Sequence, residues 1–349
     1  MTLNVRRTSE ASAIARTERA GDAARERAGG GGRRVEAARA DVWRPTQLLS
    51  ILDLTPTELE ACLDLAASMK HARRARRPHA TPLVGRHVAL LFEKPSLRTR
   101  STFTIAVREL GGDVIEPPAD VAFGGRETIE DVARNLERWV FGLVMRTFAQ
   151  SRLGRIAAAA PALRVVNALT DEEHPCQAIA DCQTLVERFG SLQGRTIAFI
   201  GDGNNVAASL AHAVAMLGGR LVVASPASYE LPPRVRDEVA SVARFGGGVT
   251  VTHDPAAAVK EACAVYTDVW TSMGQESEAA SRHEIFQRFQ VNAALMARAP
   301  GDALFMHCLP AHRGDEVTDE VMDSERSVAF DQSENRLHAQ KAVLALLAG

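Results

Sequence analysis

The sequence predicts an α/β protein of two domains, each a mainly parallel sheet flanked by helices, with a C-terminal helix returning to the first domain. Three observations carry this reading. The 349 residues exceed what one hydrophobic core usually serves and suggest two domains of roughly 150 residues each. From Trp43 onward short apolar runs alternate with amphipathic stretches, the pattern of buried parallel strands joined by helical crossovers. Polar clusters fall where the strand-like runs end, the edge at which α/β sheets carry function.

The elements follow in order. Asp53-Leu54-Thr55-Pro56 reads as a cap and first turn for a helix reaching about Met69, since Pro fits a first helical position. Val88 to Phe92, Val114 to Glu116, Gly142 to Met145 and Arg164 to Ala168 are short and apolar enough for strands, with helices expected near 97–111, 127–138 and 151–159. A long helix is expected from Pro175 to Phe189, then strands at Thr196 to Ile200, Leu221 to Ala224, Val249 to Thr252 and Ala264 to Thr267. A further strand-like run ends at Met306, and a last helix, about Ser333 to Leu347, bears Arg336 on its first turn. The expected partition is an N-terminal extension over 1–42, a first domain over 43–180, a second over 181–330, and a returning helix over 331–349.

Composition narrows the function. With 41 basic and 43 acidic residues and a net charge of -2, nothing attracts nucleic acid or an acidic membrane globally, so any anion must be held by a local site. The five cysteines (Cys62, Cys176, Cys182, Cys263, Cys308) show no CxxC spacing and are odd in number, which suggests neither a disulfide framework nor a zinc ribbon and fits a reducing cytoplasm. No apolar run approaches the roughly 20 residues of a spanning helix. Residues 1–42 are rich in Ala, Arg, Glu and Gly, with a four-glycine break at 29–32, and read as a disordered extension that can bury little. The acids among their arginines argue against a transit peptide.

Six segments bear on the chemistry. In Ser96-Leu97-Arg98-Thr99-Arg100, after the first strand, hydroxyls and guanidinium groups gather at a helix start, where free amides and the helix dipole already favour an anion such as phosphate. Arg146, at the end of the third strand, is a second anion clamp, and His174-Pro175-Cys176-Gln177 places His174 and Gln177 three residues apart at the next strand-to-helix junction. Together they can hold a phosphate and polarise an adjacent carbonyl. Gly201-Asp202-Gly203-Asn204-Asn205 looks like the start of a dinucleotide fingerprint, but the third glycine is absent and the next strand ends without a carboxylate, which disfavours a dehydrogenase. Asp268 to Glu276, with Ser272 and Met273, could receive a cationic amino acid. His307, Cys308 and His312 lack the companions of a metal site, and Cys308 has no base at defined spacing, so a polar binding role is expected there.

Taken together, residues 45–349 resemble the aspartate/ornithine transcarbamylase family, on its ornithine branch. Ser96-x-Arg98-Thr99-Arg100 and His174-Pro175-x-Gln177 look like its carbamoyl-phosphate motifs; Asp268 to Glu276, His307-Cys308-Leu309-Pro310 and the Gly201 to Asn205 turn look like those that choose ornithine. The resemblance implies transfer of the carbamoyl group from carbamoyl phosphate to the side-chain amine of L-ornithine, giving L-citrulline and phosphate without metal or other cofactor. It further implies that Ser96, Leu97, Arg98 and Thr99 bind the phosphate, that Arg146, His174, Gln177 and Arg336 complete the carbamoyl-phosphate pocket with Cys308 and Leu309, that Asn205, Asp268, Ser272 and Met273 hold ornithine, and that Arg98, Arg146, His174, Asp268 and Cys308 take part in catalysis. A homotrimer in the cytoplasm is implied, with neither nucleic acid nor membrane as partner. The alternatives are a transcarbamylase for another acceptor, such as putrescine or an acylated ornithine, and a non-catalytic carbamoyl-phosphate-binding relative. Ala122 stands where relatives carry Gln or His in a loop reaching a neighbouring subunit, and Leu97 where Thr is common.

Overall fold

The computed structural model describes residues 42–349 apart from 124, 272, 273 and 275. The extension expected over 1–42 therefore lies outside the described residues except at its last position. All elements below belong to the unit Arg44–Gly349.

A first helix, α1 (Pro56–Arg74), starts as expected: Thr55 accepts from the Glu58 amide while the Glu58 carboxylate reaches back to the Thr55 N–H, a reciprocal cap. Then follow β1 (His87–Phe92), α2 (Leu97–Glu109), β2 (Asp113–Ile115), the short α3 (Ala119–Phe123), α4 (Ile129–Trp139), β3 (Gly142–Arg146), α5 (Gln150–Ala159) and β4 (Arg164–Leu169). The four strands form one parallel sheet in the order β2-β1-β3-β4. Its interior strands are apolar apart from His87 at the start of β1 and Arg146 at the end of β3, as a sheet covered on both faces requires.

The long helix α6 (Pro175–Phe189) leads to the second sheet: β5 (Thr196–Ile200), α7 (Asn205–Met216), β6 (Arg220–Ala224), α8 (Pro233–Val242), β7 (Gly248–Thr252), α9 (Pro255–Val259), β8 (Ala264–Thr267), α10 (Ala279–Phe286), α11 (Ala293–Met296) and β9 (Leu304–His307). Its order is β7-β6-β5-β8-β9, again all parallel. After α12 (Asp319–Met322), α13 (Ala329–Ala348) packs against α1, α2 and α6 of the first half. It begins four residues earlier than expected, so Arg336 lies beyond its second turn and not on its first.

Both sheets reverse direction of growth once, between β1 and β3 and between β5 and β8. Crevices open at such switch points, outside the carboxyl ends of the strands. The segments after β1, β5 and β8 carry Arg98, Asn205 and Asp268, and Arg146 ends β3, so the winding itself brings these residues to one place.

Candidate active site

A cavity of about 1180 Å³ lies at those strand ends, lined by segments of both sheets and by Arg336. One end is cationic. Ser96 is the N-cap of α2, its hydroxyl accepting from the Thr99 amide at 3.2 Å. The Arg146 guanidinium lies 3.5 Å from both the Ser96 and Thr99 hydroxyls, and Arg336 donates to Thr99 from α13. Three guanidinium groups thus crowd a helix N-terminus. The consequence is electrostatic: burial, then Arg336 and Arg98, push the Arg146 pKa down to about 10, and burial also lowers those of Arg98 and Arg336. Like charges held this close at a dipole's positive end are arranged for an anion.

His174 and Gln177 stand beside them. Burial, followed by Arg336 and Arg146, holds the His174 pKa well below its ordinary value, so the ring is neutral; its Nδ1 has no partner among the described residues. Gln177 donates from Nε2 to Asp181 Oδ1 at 2.7 Å, leaving Oε1 without a partner among the described residues. Asp181, fully buried, also accepts from Gln332 Nε2 at 2.7 Å and from the Tyr266 hydroxyl at 3.0 Å. Burial raises its pKa to about 7 against the pull of those hydrogen bonds.

The other end of the cavity is acidic and amide-rich. Asp268, after β8, accepts from the Cys308 thiol at 2.9 Å, from Asn204 Nδ2 at 2.9 Å and from the Val269 amide at 2.8 Å. Burial and Asp268 together push the Cys308 thiol well above its ordinary pKa. It is therefore a protonated donor, not a nucleophile. Asn204 caps α7 through its Oδ1 while its Nδ2 serves Asp268, so both ends of the amide are used. Asn205 also lines the cavity and donates to the Thr170 carbonyl. Gly203 of this turn has a packing reason, since a Cβ there would fall 2.3 Å from the Leu231 nitrogen, whereas Gly201 is required by its φ of +134°.

Two family models match consecutively. The carbamoyl-P binding domain of aspartate/ornithine carbamoyltransferases matches residues 46–187, and the Asp/Orn binding domain matches 193–347. The chain belongs to the aspartate/ornithine carbamoyltransferase family. It is 51% identical over 299 residues to the ornithine carbamoyltransferase of Parafrankia sp. strain EAN1pec, covering 84% of this chain and 93% of that one. It is 48% identical over 304 residues to that of Thermococcus kodakarensis, covering 86% and 96%. Among solved structures, the ornithine carbamoyltransferase of Pyrococcus furiosus matches with a TM-score of 0.81 at 46% identity over 86% of this chain and 96% of that one.

Within this family frame, the cavity gathers Ser96, Leu97, Arg98, Thr99, Arg146, His174, Gln177, Asn205, Asp268, Cys308, Leu309 and Arg336. Ser272 and Met273 lie outside the described residues. Arg100, read in the sequence as a further phosphate donor, is not among the lining residues: it pairs with Glu116 at 3.1 Å and lies over the Phe92 ring. Two residues along a helix from Arg98, it faces another side. Leu97 lines the cavity while 77% exposed. Ala122 packs against the apolar cluster beneath the first sheet.

Sequence reasoning missed several neighbours. Lys94, buried under the Phe148 ring, pairs with Asp171 at 2.6 Å at the cavity wall. Asp181 was signalled only by standing four residues, one helical turn, after Gln177. Asn204 was visible in the turn, but its bond to Asp268 depends on residues 64 positions apart. The Arg282–Asp202 ion pair, tucked against Tyr229 and Phe286, gave no local signal.

Proposed function

We propose that the chain transfers the carbamoyl group of carbamoyl phosphate to the side-chain amine of L-ornithine, releasing L-citrulline and phosphate. The observation that carries this is one cavity with three guanidinium groups at a helix N-terminus and, next to them, an aspartate engaged by a protonated cysteine and an asparagine. The first feature suits an acyl phosphate, the second an alkylammonium. Cys308 lines the same cavity as those arginines while donating to Asp268.

In this reading Ser96, Leu97, Arg98 and Thr99 take the phosphate with Arg146 and Arg336. The neutral His174 ring and the free Oε1 of Gln177 address the carbamoyl group, His174 as donor to its oxygen and Gln177 as acceptor from its amide. Asn205, Ser272, Met273 and Asp268 hold ornithine, with Cys308 and Leu309 where the two substrates meet. The neutral amine attacks the carbonyl carbon; the new N–C bond forms, the C–O bond to phosphorus breaks, and the departing phosphate takes the electron pair and the proton released by nitrogen. Negative charge grows on the carbonyl oxygen and the bridging oxygen, where preorganised donors act most strongly. Asp268 favours ornithine as it enters charged, so the ammonium must give up a proton before attack.

The partition into a donor-binding region over 43–180, an acceptor-binding region over 181–330 and the returning helix over 331–349 belongs to the same proposal. So do a homotrimeric assembly and a cytoplasmic location. Among the described residues no helix is long and apolar enough to cross a membrane.

The test is direct. Purified protein with carbamoyl phosphate is offered ornithine, putrescine and an acylated ornithine, with phosphate release and citrulline as readouts. Citrulline formation at a rate matching phosphate release, with ornithine preferred, is expected. Preference for another acceptor, or binding of carbamoyl phosphate without turnover of any amine, would reject it.

A further inference from the structure

The turn that follows β9 holds an unusual backbone. Leu309 has φ of +59°, the left-handed region in which an L-side chain crowds its own carbonyl, at a cost of roughly 1–2 kcal/mol. Such a residue persists only where its surroundings over-determine it. Here the surroundings are specific. The Leu309 N–H donates to His307 Nδ1 at 2.9 Å, and His307 Nε2 lies 3.1 Å from Glu316 Oε1. The same carboxylate oxygen accepts the His312 N–H at 2.6 Å, so Glu316 ties both ends of the 307–312 turn. His307 is fixed from the other side, where its own N–H donates to Gln332 Oε1 at 2.9 Å. Both His307 and Glu316 are completely buried.

We propose that His307 and Glu316 are positioning residues for the transfer: they lock the Cys308–Leu309 turn in the one conformation that keeps Cys308 on Asp268 and Leu309 at the cavity wall. The inference rests on the proposed reaction. Because Leu309 must donate, Nδ1 of His307 carries no proton, and the ring proton sits on Nε2, donated to Glu316. Glu316 thus selects the tautomer, and the tautomer selects the turn. Neither residue touches the phosphate-binding groups, which are on α2, β3 and α13. The dyad therefore acts on the meeting of the two substrates and leaves the grip on the phosphate alone.

The expected result has three parts. Glu316→Leu removes the acceptor and lowers kcat by about 100-fold, the effect of a misplacement near 1 Å, while carbamoyl phosphate binding, followed by titration, changes less than about threefold. Glu316→Gln keeps a carbonyl oxygen for both donors and restores turnover to within about fivefold of wild type. In the unaltered protein, ¹⁵N-histidine NMR, with the His307 signals assigned through His307→Asn, shows the neutral Nε2–H form at neutral pH, a measurement that holds even where Glu316→Leu fails to fold. A folded Glu316→Leu protein with near-normal kcat, a Gln variant as damaged as the Leu variant, or a proton on Nδ1 of His307 would each overturn the proposal. Absence of citrulline formation by the unaltered protein would instead overturn the reaction on which it rests.

Discussion

Arg98 sits on the first turn of α2 with Arg146 and Arg336 close by, and the cost of confining three cations is repaid only when an anion arrives. Replacing it therefore affects turnover more than folding. Arg98→Ala is expected to lower the rate by about 100-fold or more, the loss of one preorganised donor, with an unfolding midpoint of the free protein that is unchanged or raised; normal turnover in that variant would remove Arg98 from the site. Asp181 makes the opposite prediction, on stability. Its pKa rises from an ordinary 3.8 to about 7 on folding, so the folded state keeps a proton that the unfolded chain has lost. That contribution is complete below the unfolded value and disappears as pH climbs through the folded one. Asp181→Asn cannot lose it, so the melting temperature of the variant relative to wild type should rise between about pH 4 and about pH 7; a pH-independent difference would contradict this. The residues legible in the sequence were those whose role is local. Ser96 caps a helix and His174 precedes a Pro at a strand end, and a short window contains both signals. Arg100 was misread because which face of α2 it occupies is settled by Glu116 and Phe92. Asp181 and Glu316 were passed over, and His307 was weighed only as a metal ligand and a motif member, because each is meaningful only through partners brought together by folding.

Among the elements, the strands were the most legible. β5, a continuous apolar run bounded by turn residues, was read with the same limits that the structure gives it, since a strand buried on both faces leaves a compact signal. Helices in the second half, such as α9 and α11, are four or five residues long, too short for a periodic pattern to declare itself. α13 was shortened at its start because Gln332, Asn335, Arg336, His338, Gln340 and Lys341 are all buried, which blurs the apolar stripe that ordinarily marks a helix. Some of those polar groups are matched instead by long-range partners: Lys70 donates to Asn335 at 2.6 Å and to Glu187 at 2.7 Å, and Lys341 to Glu109 at 2.6 Å. Apolar contacts add to them. Leu344 is 1% exposed, and Leu344→Ala should cost about 2–5 kcal/mol in urea unfolding while leaving kcat of the folded fraction near wild type. A cost below 0.5 kcal/mol would show that α13 is held by its polar contacts alone.

For the whole molecule, the two sheets were legible in their composition and strand order was not, because pairing of distant strands leaves no trace in a single run of residues. The switch points between β1 and β3 and between β5 and β8 nevertheless explain why motifs scattered from residue 96 to residue 336 share one cavity. A ligand bridging them stabilises the assembled fold by mass action: carbamoyl phosphate at about a hundred times its dissociation constant should add about 2.7 kcal/mol to unfolding at 25 °C, and Arg98→Ala should abolish most of that gain at the same concentration. Sedimentation is expected to give a trimer, and a fully active monomer would refute that assembly.

The contribution of α13 to the donor site has a temporal side. A chain leaves the ribosome N-terminus first, at about 5–20 residues per second, so all nine strands have been synthesised before residues 329–349 are made. A growing polypeptide can therefore form both sheets and much of its core without Arg336. The Arg336 guanidinium therefore joins the cationic end of the cavity last, once the final helix has been made and packs against the rest.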